Sequence, residues 1–204
     1  VDTDQIIASQ YLLFPTIDEM KTHTFESLDP DFAANVKDLS TLYREDVKEI
    51  IKEAGIVGMG GAGFPANVKL SPKNEDAIDY IIVNGAECEP YLTADHRLML
   101  EKADEILVGV QILMKAAKVT KGYIGIENNK PDAIKLMTEK AAAYPGIEIV
   151  PLKVKYPQGG EKQLIDAVIG RQVPAPPAIP INVGAVVQNV GTAYAVYEAV
   201  QKNK

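Results

Sequence analysis

From Asp46 onward the apolar residues alternate between two patterns. Short apolar runs at Tyr80–Val83, Gly122–Ile126, Ile147–Val154 and Val183–Val187 have the length and composition of buried strands. Between them, apolar residues recur at helical spacing. Val47, Ile50 and Ile51 share one face of a helix predicted over Val47–Ala54, with Asp46 as its cap and Gly55 as its stop. A long helix is predicted from Asp95 to about Lys118, carrying Leu98, Ile106, Val110, Ile112 and Met114. Asn129 followed by Pro131 predicts a capped helix to Ala143. Further helices are expected over Glu161–Ile169, ending at Gly170, and over Gly191–Gln201. Pro145-Gly146 reads as a turn, and the four prolines between 174 and 180 as an irregular loop.

Strands alternating with helices predict right-handed βαβ units. The expected fold is therefore α/β: a Rossmann-like parallel sheet of about four strands flanked by helices. Residues 1–45 break the pattern. Apolar positions there show no sustained period and are interrupted by Pro15, Pro30 and several Asp and Thr residues, as expected of an irregular N-terminal arm or linker. The predicted division is an arm at 1–45 and an α/β domain at 46–204.

Composition narrows the function. The 204 residues are 47% hydrophobic and 24% charged, with a net charge of −7 and a sequence pI near 4.9. No basic cluster stands out, so nucleic-acid binding is not expected. No apolar run is long enough to span a bilayer, and the acidic balance would be repelled by an anionic membrane surface. The N-terminus lacks the basic-then-apolar pattern of a secretory signal, and a chain opening on Val1 reads as a piece of a longer protein. The single cysteine, Cys88, excludes an internal disulfide and any cluster ligated by this chain's cysteines alone.

Four segments carry candidate chemistry. In GIVGMGGAGFP (55–65), five glycines crowd into nine residues. Consecutive exposed N–H groups in such a loop can cradle phosphate oxygens, with Lys69 nearby to add a charge; the plain alternative is a flexible turn. Gly58, Gly60 and Gly63 match G-x-G-x-x-G, but they follow a predicted helix where the dinucleotide-binding motif follows a strand. In NGAECEPYLTADHR (84–97), Glu87 and Glu89 flank Cys88 just past a predicted strand. They are placed to bond ribose hydroxyls, a carboxamide or ring nitrogens, or else are solvated acids or caps. Asp95 reads as a helix cap and Cys88 as a packing residue. His23 and His96 are not paired in sequence, so no metal site is expected. KYPQGGEKQLI (155–165) sets Tyr156 beside Gly159, Gly160 and Glu161 at a predicted helix start, suited to a flat ring or to an ordinary helix entry. In VVQNVGTAY (186–194), Asn189 and Thr192 read as helix caps or ligand contacts.

Taken in this order, GIVGMGGAGFP, IIVNGAECEPYLTADHRLMLE, GIENNKP, KYPQGGEKQLIDAVIGRQVP and NVGTAY closely resemble the RnfC family, the NADH-oxidising subunit of the Rnf ion-translocating complex. The resemblance covers residues 46–197 or so. More distantly, the chain is similar to the NADH-binding flavoprotein subunit of respiratory complex I. The resemblance implies one pocket for FMN with NADH stacked on its ring. Gly58, Gly60, Gly61, Gly63 and Lys69 would line the FMN phosphate and ring. Asn84 and Glu87 would contact the flavin, and Glu89 and Phe64 would lie towards the nicotinamide. Tyr156, Gly159, Gly160 and Glu161 would border the flavin, and Asn189 and Thr192 would complete the site. Against the complex I pattern, Ala86 replaces an aspartate, Gly160 an acid and Gln188 an asparagine.

The implied activity is oxidation of NADH through FMN, with electrons passed to [4Fe–4S] clusters in parts of the parent protein absent here, and indirectly to ferredoxin. No side-chain acid or base is required, so no catalytic residue is assigned. The implied partners are other subunits of a membrane-bound Rnf-type complex, on the cytoplasmic face and without direct insertion. Alternatives are a cobalamin-reductase-type homologue, a docking domain that has lost redox activity, and a plain nucleotide-binding module.

Overall fold

The computed structural model describes residue 39 and residues 42–204. The arm expected over 1–45 falls outside the described residues except for Leu39 and the last few positions.

The first described helix, α1 (Arg44–Glu53), begins earlier than predicted, with Tyr43 and not Asp46 at its N-cap. Glu45 and Asp46 instead occupy its first turn, where the helix dipole favours acids. Val47 and Ile51 are fully buried. On the flank, Lys48 donates to Glu75 at 2.6 Å, and Arg44 pairs with the same carboxylate while donating to the Ala116 carbonyl at 2.7 Å.

Strands β1 (Tyr80–Gly85), β2 (Gly122–Glu127), β3 (Ile147–Leu152) and β4 (Ala185–Asn189) form one parallel sheet in the order β3-β2-β1-β4. The predicted α/β class and strand number hold. β4 lies two residues later than predicted, because Val183 closes a 3₁₀ turn at Pro180–Val183 whose C-cap, Gly184, has φ 75°. The remaining helices are α2 (Ala66–Lys69), α3 (Ala94–Glu101), α4 (Ala103–Ala117), α5 (Pro131–Ala141), α6 (Glu161–Ile169) and α7 (Val190–Lys202).

The long helix predicted from Asp95 is two helices. Lys102 leaves helical geometry (φ −134°, ψ 36°), so α3 packs towards α5 while α4 turns to lie along α7. No glycine or proline marks this break; the two halves differ in emphasis, α3 packing most against α5 and α4 most against α7. α4 is buried on nearly every side. It crosses α7 so closely that a Cβ on Gly109 would lie 2.0 Å from the Ala193 carbonyl oxygen. On the opposite face of the sheet, Leu164 and Ile165 of α6 join Ile82, Ala86, Leu152, Ala185 and Val187 in a second core.

The chain runs from β1 outward through β2 to β3, then returns across the sheet through α6 to β4 on the other side of β1. The order therefore reverses between β1 and β4. In open parallel sheets the crevice beyond the strand ends at such a reversal is where ligands bind.

Candidate functional site

A cleft of about 1230 Å³ opens at this reversal. One wall is the glycine-rich loop with α2, another is residues 159–161 at the start of α6, and the floor is the end and outer edge of β4. Asn84 and Asn189, paired across β1 and β4, stand at the strand ends. The volume exceeds the roughly 300–1,000 Å³ usual for one small ligand.

The glycine loop is a short hairpin. Val57 bridges Pro65, and the Gly58 amide donates to the Phe64 carbonyl at 2.8 Å. Between these ties the chain turns on Gly60 (φ 69°) and Gly63 (φ 67°), values that side chains with a Cβ resist. Among the described residues, the amides of Gly60, Gly61, Ala62, Gly63 and Phe64 donate to no protein acceptor. Gly60, Gly61, Ala62 and Phe64 line the cleft. A Cβ built on Gly61 or Gly63 would meet nothing within 4 Å. Five successive bare amides bordering a cleft form a nest for an anion.

Lys69 closes the loop side. Its ammonium donates to Glu161 Oε1 and to the Val187 carbonyl, each at 3.0 Å. The second contact is available because β4 is an edge strand, whose alternate carbonyls and amides point away from β1. Phe64 is half exposed at the rim and offers an aromatic face.

Behind the cleft a hydrogen-bond network fixes the strand ends. Asn84 donates to the Gly159 carbonyl at 2.8 Å and accepts from the Ala86 amide. Asn189 caps α7 by accepting from the Gly191 amide at 2.7 Å, and its amide group donates to Asp95 at 2.8 Å. Burial pushes the Asp95 carboxyl above the usual carboxylate range; the Asn189 hydrogen bond opposes that shift and the neighbouring Glu87 charge adds to it. Lys130, itself buried, donates to the Ala86 carbonyl at 2.9 Å and holds the turn after β1.

Of the residues singled out in the sequence, Gly58, Gly60, Gly61, Phe64, Lys69, Asn84, Gly159, Gly160, Glu161 and Asn189 come together on this cleft. The others do not line it. Gly63 turns the loop. Thr192 is fully buried, with its hydroxyl bonded to Val57 and Met59. Tyr156 stands in solvent at 77% exposure. Glu87 and Glu89 border a separate hollow of about 270 Å³. Both Glu87 oxygens accept backbone amides, from Asp95 at 2.7 Å and His96 at 3.1 Å, so Glu87 caps α3. The cap expected of Asp95 is thus supplied from outside the helix, and Asp95 instead receives Asn189.

Sequence reading did not place Gln188 or the segment Ile179–Asn182 in the site, yet both stand on the cleft wall. Gln188 is 3% exposed, and among the described residues neither its Oε1 nor its Nε2 has a partner. The proline run at 174–180, read only as an irregular loop, leads directly into that wall, which no local pattern announces.

The model of the Nuo51 FMN-binding domain family (Complex1_51K) matches residues 51–198. The chain is 53% identical over 168 residues to the C component of the proton-translocating ferredoxin:NAD(+) oxidoreductase complex of Clostridium ljungdahlii, covering 82% of this chain and 36% of that protein. It is 45% identical over 177 residues to the C component of the Na(+)-translocating ferredoxin:NAD(+) oxidoreductase complex of Acetobacterium woodii, covering 85% and 39%. The chain thus spans little more than a third of these relatives. In three dimensions it is similar to a chain of the H2-reduced NAD+-reducing [NiFe]-hydrogenase, with a TM-score of 0.63 and 26% identity, over 78% of this chain and 31% of that one. With the family match running from α1 into α7 and so embracing the glycine loop, the strand reversal and the cleft, the chain belongs to the Nuo51 FMN-binding domain family.

Proposed function

We propose that this chain is the FMN- and NADH-binding module of an Rnf-type ferredoxin:NAD+ oxidoreductase. The observation that carries the reading is the row of free amides from Gly60 to Phe64 at the strand reversal. Those residues suit a phosphate-bearing flat cofactor. Gly60 and Gly61 with Lys69 would hold the phosphate, and Gly63 turns the loop that presents them. Asn84, Gly159, Gly160 and Glu161 would border the ring.

FMN, when bound, supplies acceptance of a hydride from NADH and release of single electrons. The chain's own residues bind and orient. The loop amides and Lys69 offer fixed positive dipoles and charge to an anion, and need little rearrangement to do so. Glu161 holds the Lys69 ammonium against β4, on the wall of the same cleft that the loop lines. Phe64 gives the nicotinamide or adenine ring of NADH a surface to stack on. The cleft is large enough to hold two rings in contact, which makes their encounter intramolecular. No side chain need move a proton for hydride transfer, and none is assigned to do so. One cysteine cannot ligate a [4Fe–4S] cluster, so onward electron transfer would use partners or polypeptide outside this chain.

The test is a titration of the purified chain with FMN, followed by anaerobic addition of NADH. Quenched flavin fluorescence and then bleaching of the visible flavin band are the expected results. FMN that binds but resists NADH would leave a binding module without redox function. NADH binding without FMN uptake would point to a plain nucleotide site.

A further inference from the structure

We infer that Thr192 is a positioning residue whose buried hydroxyl sets the pitch of the glycine loop and so decides how well the loop tip takes a phosphate. This rests on the FMN reading above.

Thr192 has 0% exposure and cannot touch a ligand in the cleft. It lies in the first turn of α7. One hydroxyl makes two bonds: it donates to the Val57 carbonyl at 3.1 Å and accepts the Met59 amide at 3.0 Å. Val57 and Met59 flank Gly58, whose own amide is tied to Phe64. On the limb that enters the loop the ties therefore end at residue 59 and the free amides begin at residue 60, while the returning limb is tied back at the Phe64 carbonyl. The Met59 peptide is the last one whose orientation the fold fixes, and Thr192 is what fixes it.

The same helix start registers the tip. A Cβ on Gly60 would come within 3.3 Å of the Asn189 amide nitrogen, and a Cβ on Gly191 within 3.0 Å of the Met59 sulfur. The loop thus rests on the first turn of α7 through side-chain contacts at Asn189 and Met59 and through one hydroxyl. Without that hydroxyl the contacts remain, but nothing holds the Met59 N–H. The tip amides would then have to be ordered by the ligand, at the expense of affinity.

Thr192→Val keeps the shape and removes the hydroxyl, while Thr192→Ser keeps the hydroxyl. The probes are FMN and riboflavin, which differ only by the phosphate, followed by flavin fluorescence. For Thr192→Val the expected result is about a tenfold loss of FMN affinity with riboflavin affinity unchanged. Thr192→Ser should restore FMN affinity to near wild type. Equal losses for FMN and riboflavin, no loss for FMN, or failure of serine to rescue would overturn the inference. Wild-type protein that binds riboflavin as tightly as FMN would overturn the phosphate placement itself, and the inference with it; that failure is visible before any variant is made. Hydrogen exchange on the wild type needs no variant: the Met59 amide should be protected while those of Gly60, Gly61 and Gly63 exchange freely. A Met59 amide that exchanges as fast as its neighbours would overturn the inference.

Discussion

Glu87 is an acid in the left-handed region (φ 48°), a conformation that costs a residue with a Cβ about 1–2 kcal/mol. It is held there by what its carboxylate does, accepting two backbone amides at the start of α3 where the helix dipole also favours a negative charge. Glu87→Ala should lower stability by about 1 kcal/mol in urea denaturation, and Glu87→Gly by less, since glycine tolerates the backbone. Asp95 makes a different test. Its folded carboxyl is shifted upward by burial, so the folded state holds its proton more tightly than the unfolded chain does. The stability it contributes is therefore fully present below the usual aspartate range and is lost as pH rises through the raised value. Asp95→Asn keeps an acceptor for Asn189 and cannot ionise. Across urea titrations from about pH 4 to pH 7, wild type should lose stability relative to Asp95→Asn and then level off; a flat difference would remove Asp95 as the cause. Gly61 is the simplest probe of the cleft. A side chain there clashes with nothing in the protein but projects into the space the loop leaves open. Gly61→Val should unfold within about 0.5 kcal/mol of wild type yet lose about 1.5–3 kcal/mol of FMN binding for each charge-assisted amide contact it blocks. Tight FMN binding by this variant would move the phosphate elsewhere.

Among the elements, α4 and α7 depend on each other most. Gly109 lets the two backbones approach, and adding even a methyl there forces them apart. Gly109→Ala should cost about 1–3 kcal/mol by overpacking, read from the urea midpoint, and should weaken FMN binding as well because α7 carries Asn189 and Thr192 at its start. A neutral result would mean the helices have room to slide. Helices and strands were largely legible in the sequence because each hides one apolar face, and a buried face leaves a period. α6 and its Gly170 stop were found as predicted, and α7 began one residue from its expected start. Where two packing environments meet, the period is silent. The break at Lys102 lies inside a continuous apolar pattern and is visible only in the packing, where α3 leans on α5 and α4 lies along α7. The Asp46 and Asn129 caps failed in a related way. Each is a good cap by type, but Tyr43 and Lys130 hold those positions, because the chain entering α1 and α5 is anchored by tertiary contacts made by Arg44 and by Lys130.

At the scale of the molecule, the reversal of strand order between β1 and β4 decides where a ligand can sit, and everything on the cleft converges there from segments as far apart as Gly58 and Asn189. If FMN binds the folded chain and not the unfolded one, it should add about 2.7 kcal/mol to stability at a hundred times its dissociation constant. That gain would appear as a concentration-dependent rise in the thermal midpoint, and a midpoint insensitive to FMN would deny the cleft its ligand. The glycine loop, Lys69, the Gly159–Glu161 turn and Asn189, all of which stand on the cleft, were singled out for local reasons (free amides, a charge, a helix start, a cap), whereas Asn84 was singled out only by the family resemblance. The sequence by itself determined the α/β class, the number of strands and most of the segments that meet at the cleft, since hydrophobic period and backbone freedom are properties of neighbouring residues. Only the tertiary structure decided which candidate groups face the cleft. It turned Glu87 to a helix end, left Tyr156 in solvent, buried Thr192 beneath the loop and brought Gln188 to the wall, because the direction of a side chain depends on what the rest of the chain packs against it.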